Sequence, residues 1–169
     1  NIPAFGDILI LSANDLTFHD ALRANSFTQQ SSSGETRFES VVIKGANGLD
    51  AIAGAVRFDG DVDTTAGNGP IRVVTADDIT VNATLRSGNG TVTLSADNNV
   101  TMTAAGTILA DAIVTITADA NNTGGSLSMV DGATVRAGAA AIHLLAGDDV
   151  RLGSLITTDL VTVTSHNGS

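Results

Sequence analysis

Short stretches in which apolar and polar residues alternate recur along the chain. They include Ile71-Arg72-Val73-Val74-Thr75, Val92-Thr93-Leu94-Ser95-Ala96, Val114-Thr115-Ile116-Thr117-Ala118, Ile142-His143-Leu144-Leu145-Ala146 and Val161-Thr162-Val163-Thr164-Ser165. A period of two puts successive side chains on opposite faces of an extended backbone, so each stretch reads as a strand. The five segments align with one another and are designated strand A. Ile8-Leu9-Ile10 and Val41-Val42-Ile43 read as earlier copies of it. Eight residues after many of them comes a strand B: Leu16-Thr17-Phe18, Ile79-Thr80-Val81, Val100-Thr101-Met102 and Val150-Arg151-Leu152, with Leu127 at the same place in its own turn. A third apolar position, C, follows at Leu22, Leu85, Ile108, Val135 and Ile156.

From Ile71 onward the order A, B, C is kept through four consecutive turns of the pattern, in steps of 19 to 22 residues apart from the longer one that contains 119–125. Where the spacing stretches, the extra residues are polar or small: 25–33, 45–54 and 119–125. The first two, as loops on a rigid scaffold, are the candidate binding segments, with slack in the repeat as the other reading. Insertions confined to turns are what stacked repeats allow. The pattern predicts an all-β chain, a single-stranded parallel β-helix (β-solenoid) of about six three-strand coils, forming one domain over residues 1–169. At ~4.8 Å per rung such a rod is about 30 Å long. An antiparallel β-sandwich also uses short, evenly spaced strands, but nothing in it requires the same three-part order to return.

Composition sharpens this picture. The chain has five Phe and neither Trp nor Tyr. Its interior is therefore expected to be a narrow, layered one of Val, Ile, Leu, Ala and Thr, residues that suit a pleated surface. Eighteen Gly, with many Asn and Asp, supply the corners. At 43% hydrophobic and 15% charged residues, the chain is too apolar for disorder. Its net charge of −10 argues against nucleic acid and against anionic lipid surfaces. No apolar run reaches the ~18–20 residues of a membrane span. With no Cys, disulfides and thiolate chemistry are excluded.

Two segments carry a resemblance. Residues 90–110, Gly-Thr-Val-Thr-Leu-Ser-Ala-Asp-Asn-Asn-Val-Thr-Met-Thr-Ala-Ala-Gly-Thr-Ile-Leu-Ala, resemble coils of filamentous-haemagglutinin-like bacterial exoproteins. Residues 141–157, Ala-Ile-His-Leu-Leu-Ala-Gly-Asp-Asp-Val-Arg-Leu-Gly-Ser-Leu-Ile-Thr, do so as well. The resemblance is one of repeat style and covers most of the chain. It implies a right-handed coil, secretion, and a structural role outside the cell or on its surface. The Asn-Pro-Asn-type motifs of the family's export domain are absent, so the chain resembles a piece of the shaft or a stand-alone solenoid. The lack of Cys fits passage of an unfolded chain through an outer-membrane pore, which the resemblance also implies.

Candidate chemistry gathers at the A-to-B corner, at Asn14-Asp15, Asp77-Asp78, Asn98-Asn99 and Asp148-Asp149. A line of carboxylates there suits calcium or a sugar, and paired Asp on a β-helix suits acid–base cleavage of polysaccharide. The simpler reading is corner geometry, since Asn and Asp tolerate turn conformations. Interposing Asn98-Asn99 after Asp77-Asp78 also dilutes repulsion between stacked charges. Asp59, Asp61 and Asp63 alternate as in calcium loops, but an EF-hand needs Gly and Glu where Thr64 and Pro70 stand. On a strand the three would face solvent around an inward Val62. The outward pairs of strand A suggest an ice-ordering Thr face, which Arg72/Val74 and His143/Leu145 interrupt. Asn-x-Ser/Thr triplets begin at Asn82, Asn89, Asn99, Asn121 and Asn167. His19, His143 and His166 fall far apart in the register, as surface residues, and the basic residues Arg72, His143 and Arg151 are scattered.

No catalytic residue, cofactor or metal ligand is therefore assigned, and no enzyme activity is expected. Neither end carries a capping pattern, although a solenoid's end coils leave backbone unpaired. The expected partners are neighbouring solenoid copies, or the rest of a longer chain, through those ends, together with host or surface glycans. Nucleic acid and membrane insertion are not expected. The function expected is that of a secreted, rigid segment of a bacterial surface protein, serving adhesion or an extracellular filament. The alternative is a carbohydrate-active or carbohydrate-binding β-helix.

Overall fold

The computed structural model describes residues 6–167; Asn1–Phe5, including the opening Asn1-Ile2-Pro3, and the last two residues, which complete the triplet begun by Asn167, lie outside the described residues. The chain is a parallel β-solenoid of three sheets. Face A stacks β1 (Ile8–Ile10), β4 (Phe27–Gln29), β7 (Leu49–Ala53), β10 (Ile71–Thr75), β13 (Val92–Ala96), β16 (Val114–Ala118), β19 (Ile142–Ala146) and β22 (Val161–Ser165). Face B stacks β2 (Leu16–Phe18), β5 (Glu35–Phe38), β8 (Ala55–Phe58), β11 (Ile79–Val81), β14 (Val100–Met102), β17 (Leu127–Met129) and β20 (Val150–Arg151). Face C stacks β3 (Leu22–Ala24), β6 (Val41–Ile43), β9 (Val62–Asp63), β12 (Thr84–Gly88), β15 (Thr107–Ala110), β18 (Thr134–Arg136) and β21 (Ser154–Ile156).

The sheets contain eight, seven and seven strands, so the chain makes seven coils and begins an eighth, where six were expected. The difference lies in the first third of the chain. Val41–Ile43 belongs to face C, paired with Leu22–Ala24, and is not a copy of strand A. The stretches 25–33 and 45–54, expected as polar insertions that bind or are slack, instead contain the true A strands β4 and β7. Their inward residues explain the disguise. Gln29 is fully buried and pairs with buried Thr36, Nε2 to Oγ1 at 2.8 Å. In β7 two of the inward residues are Ala51 and Ala53, too small to stand out as a hydrophobic peak.

At 119–125 the expected insertion is real. Buried Asp119 takes φ 81° there and accepts the Gly124 amide on Oδ1 at 2.8 Å. A one-residue slip separates expectation from structure on β21: Leu155 lies opposite inward Val135, while Ile156 pairs with Arg136 and is half exposed.

Inside the rod, residues of equal register stack into ladders such as Ile71, Val92, Val114 and Ile142, all fully buried. Each such side chain contributes about 1.5–3 kcal/mol by leaving water. The aromatic residues are not scattered through this core. Phe18, Phe38 and Phe58 are consecutive rungs of face B, with ring centroids 5.5 and 5.4 Å apart, and Phe27 meets Phe18 and Phe38 edge-on. Further along, the same column narrows to Val81, Met102 and Met129. Corners are tight enough to require glycine: a β-carbon on Gly60 would collide with the Glu39 carbonyl oxygen of the coil before.

Candidate functional site

Register places the A-to-B corner residues above one another, and the side chains of Asp15, Asp77, Asp78, Asn98 and Asn99 are engaged between coils. Asp15 Oδ1 accepts the Glu35 amide at 3.0 Å. Asp78 Oδ1 accepts both the Asn99 amide at 2.9 Å and the Asn99 side-chain amide at 3.1 Å. Asn99 Oδ1 accepts the Ser126 amide at 3.0 Å, and Ser126 Oγ the Asp149 amide at 3.4 Å. Asn98 Nδ2 donates to Asp77 Oδ1 at 3.2 Å. Backbone N–H groups that a corner would leave without strand partners are thus satisfied by Asp, Asn and Ser of the preceding coil. The row of carboxylates reads as corner construction.

Asp59, Asp61 and Asp63 do not converge. Asp61 Oδ1 accepts the Thr84 amide at 3.0 Å, and Asp63 Oδ1 accepts the Thr65 amide and hydroxyl at 2.9 and 2.6 Å. Val62 is buried between them, as expected. Asp59 departs from expectation, for its side chain is only 16% exposed. On face B the outward residues Arg37 and Arg57 occupy adjacent rungs, a repulsive arrangement that Asp59 resolves. Arg57 Nε donates to both its oxygens at 2.7 and 2.9 Å, and Asn82 Nδ2 donates at 2.6 Å. Arg37 Nε approaches Asp59 Oδ2 at 2.5 Å as an ion pair without the alignment of a hydrogen bond. Burial opposes ionisation of Asp59, but the Asn82 amide and the two guanidinium groups outweigh it and hold the carboxyl below its ordinary range.

The outward columns of face A match the pairing expected. Arg72, Thr93, Thr115, His143 and Thr162 form one column, beside Val74, Ser95, Thr117, Leu145 and Thr164. Arg72 pairs with Asp50 at 2.7 Å, and His143 Nδ1 lies 2.7 Å from Thr162 Oγ1. Arg151 sits on face B, 3.9 Å from Asp131. Arg72, His143 and Arg151 therefore share no site. Among the triplets, Asn89 and Asn121 are exposed, whereas the Asn82 and Asn99 amides belong to the Asp59 cluster and the corner ladder. No group of three or more His, Cys, Asp or Glu side chains that could hold a metal occurs among the described residues. No helix among them is long and apolar enough to cross a membrane.

Face C carries an arrangement that the sequence reading passed over. Arg86, Leu109, Arg136 and Ile156 occupy successive outward rungs, and a groove of about 380 Å³ opens there, lined by Thr65, Arg86, Leu109, Asp111 and Arg136 among others. The signal was in the chain: both arginines directly follow an inward C residue, Leu85 and Val135. No protein-family model matches the chain, and neither a curated protein nor a solved structure matches it.

Proposed function

We propose that this chain is a structural rod segment of a secreted bacterial surface protein, serving adhesion or adding end to end into an extracellular filament. The observation that carries the reading is the uninterrupted stack of three parallel sheets, joined coil to coil at the corners by the carboxylates of Asp15, Asp77 and Asp78. A rod of seven rung spacings is about 34 Å long. The exposed inward positions Val161 and Val163 of β22 offer a surface on which a further coil can stack. A net charge of −10 opposes side-by-side clumping. This reading assigns no catalytic role: Asp59 pairs with two arginines, and Asp15 and Asp78 accept backbone amides.

Negative-stain electron microscopy of the purified 169-residue chain, with and without EDTA, tests this. Rods of uniform width, single or joined end to end and indifferent to EDTA, are expected. Irregular lateral clumps, rods that dissolve in EDTA, or polysaccharide cleavage by the chain would overturn it.

A further inference from the structure

The chain carries eight Lys and Arg against eighteen Asp and Glu. Arg37, Arg57, Arg72 and Arg151 form ion pairs. Among the described residues the other four cations form none, and all of them belong to face C or its margin. Arg23 lies on β3, Lys44 directly follows β6, Arg86 lies on β12 and Arg136 on β18. An acidic rod has gathered its uncommitted positive charge on one side.

Arg86 and Arg136 are exposed and stand two rungs apart, about 10 Å at ~4.8 Å per rung. Leu109 forms an apolar floor between them, and Asp111 lines the same groove. A second hollow of about 210 Å³, lined by Asp61, Asp63, Thr84 and Arg86, continues it toward the earlier coils. Beside the arginine column runs a column of hydroxyls, Thr84, Thr107, Thr134 and Ser154, in strict register. Of these only Thr134 makes a side-chain hydrogen bond, a long one of 3.4 Å to the Gly132 carbonyl.

Guanidinium groups recognise carboxylates through paired N–H donors, and a row of free hydroxyls suits a ligand that is itself polyhydroxylated. A nucleic acid strand would call for aromatic platforms. The chain has no Trp or Tyr, and Phe27, Phe38 and Phe58 are fully buried. We propose that this groove binds an acidic glycan, a sugar chain bearing carboxylates, with Arg86 and Arg136 each taking one carboxylate and the threonine column taking hydroxyls. The proposal deepens the adhesive-rod reading and rests on it for where such a ligand is met.

Calorimetric titration of the full chain with oligogalacturonate, a neutral oligoglucan of equal length and inorganic polyphosphate tests the assignment. Oligogalacturonate should bind and the oligoglucan should not. Arg86→Gln and Arg136→Gln should each weaken binding at least tenfold, and Thr107→Val severalfold, with circular dichroism unchanged. Arg72→Gln, on face A, should leave affinity as it was. No binding of oligogalacturonate, equal losses in Arg72→Gln, or polyphosphate binding as tightly with no effect of Thr107→Val would each overturn the proposal. Lost glycan binding with uniform rods still visible by microscopy would remove the groove alone, whereas loss of the rods themselves would remove the structural reading.

Discussion

Asp59 shows how one side chain makes an unfavourable stack tolerable. With Arg37 and Arg57 directly opposite each other, the face would carry two adjacent positive charges, and the carboxylate set between them removes the conflict. Its folded-state pKa lies below the unperturbed 3.8. Between those two values the unfolded chain binds the proton more strongly, so stability rises with pH. The contribution is complete above about pH 5 and is lost as pH falls through the folded-state value. Asp59→Asn should therefore flatten the pH dependence of the urea midpoint below about pH 5, and lower the midpoint at pH 7. Identical slopes in the two proteins would show that the cluster contributes nothing through ionisation. That Asp59 is covered was not legible beforehand. Alternation alone places it in solvent, because the register that stacks Arg37 on Arg57 lies where the polarity pattern fades.

At the scale of strands and corners, legibility followed the size of the inward residues. From Ile71 onward, Val, Ile and Leu alternate with Thr, Ser and Arg, and each strand was visible. Before Ile71, Gln29, Thr36, Ala51 and Ala53 occupy inward places, and the alternation of polarity fades although that of burial does not. A different signal was available there: Phe18, Phe38 and Phe58 recur at equal intervals and mark three rungs of face B. Corner chemistry was legible in kind, since Asn-Asp pairs were expected to build turns, whereas their inter-coil partners emerged only with the stack. Asp78→Ala removes an acceptor of two hydrogen bonds and should cost about 1–2 kcal/mol in urea unfolding. Asp78→Asn keeps an acceptor and should stay within about 0.5 kcal/mol of the parent. Equal losses would mean that the charge matters at this corner, not the acceptor.

For the whole molecule, each coil touches only the coils before and after it, so stability is a sum over neighbours. Central coils have two neighbours, while β22 pairs only with β19 and lies exposed along its full length. Hydrogen exchange should accordingly be slowest at buried Leu94 and Ile116 and faster by orders of magnitude at Val163. Uniform protection along the rod would instead mark it as a single cooperative block. The corner bonds add something that the sheets alone do not convey. At Asp15, Asp61, Asn68, Asp78, Asn99 and Ser126, the side-chain oxygen belongs to the earlier coil and the amide hydrogen to the later one. The rod thus has a polarity, like an arrow drawn from first coil to last. A cut between two such coils leaves oxygen acceptors on one surface and N–H donors on the other. At these corners two like surfaces cannot satisfy each other, so a twofold axis across such a cut would leave the corner groups mismatched. A second copy stacked on an end coil would satisfy these corner groups only head to tail, an arrangement that stays open to further addition.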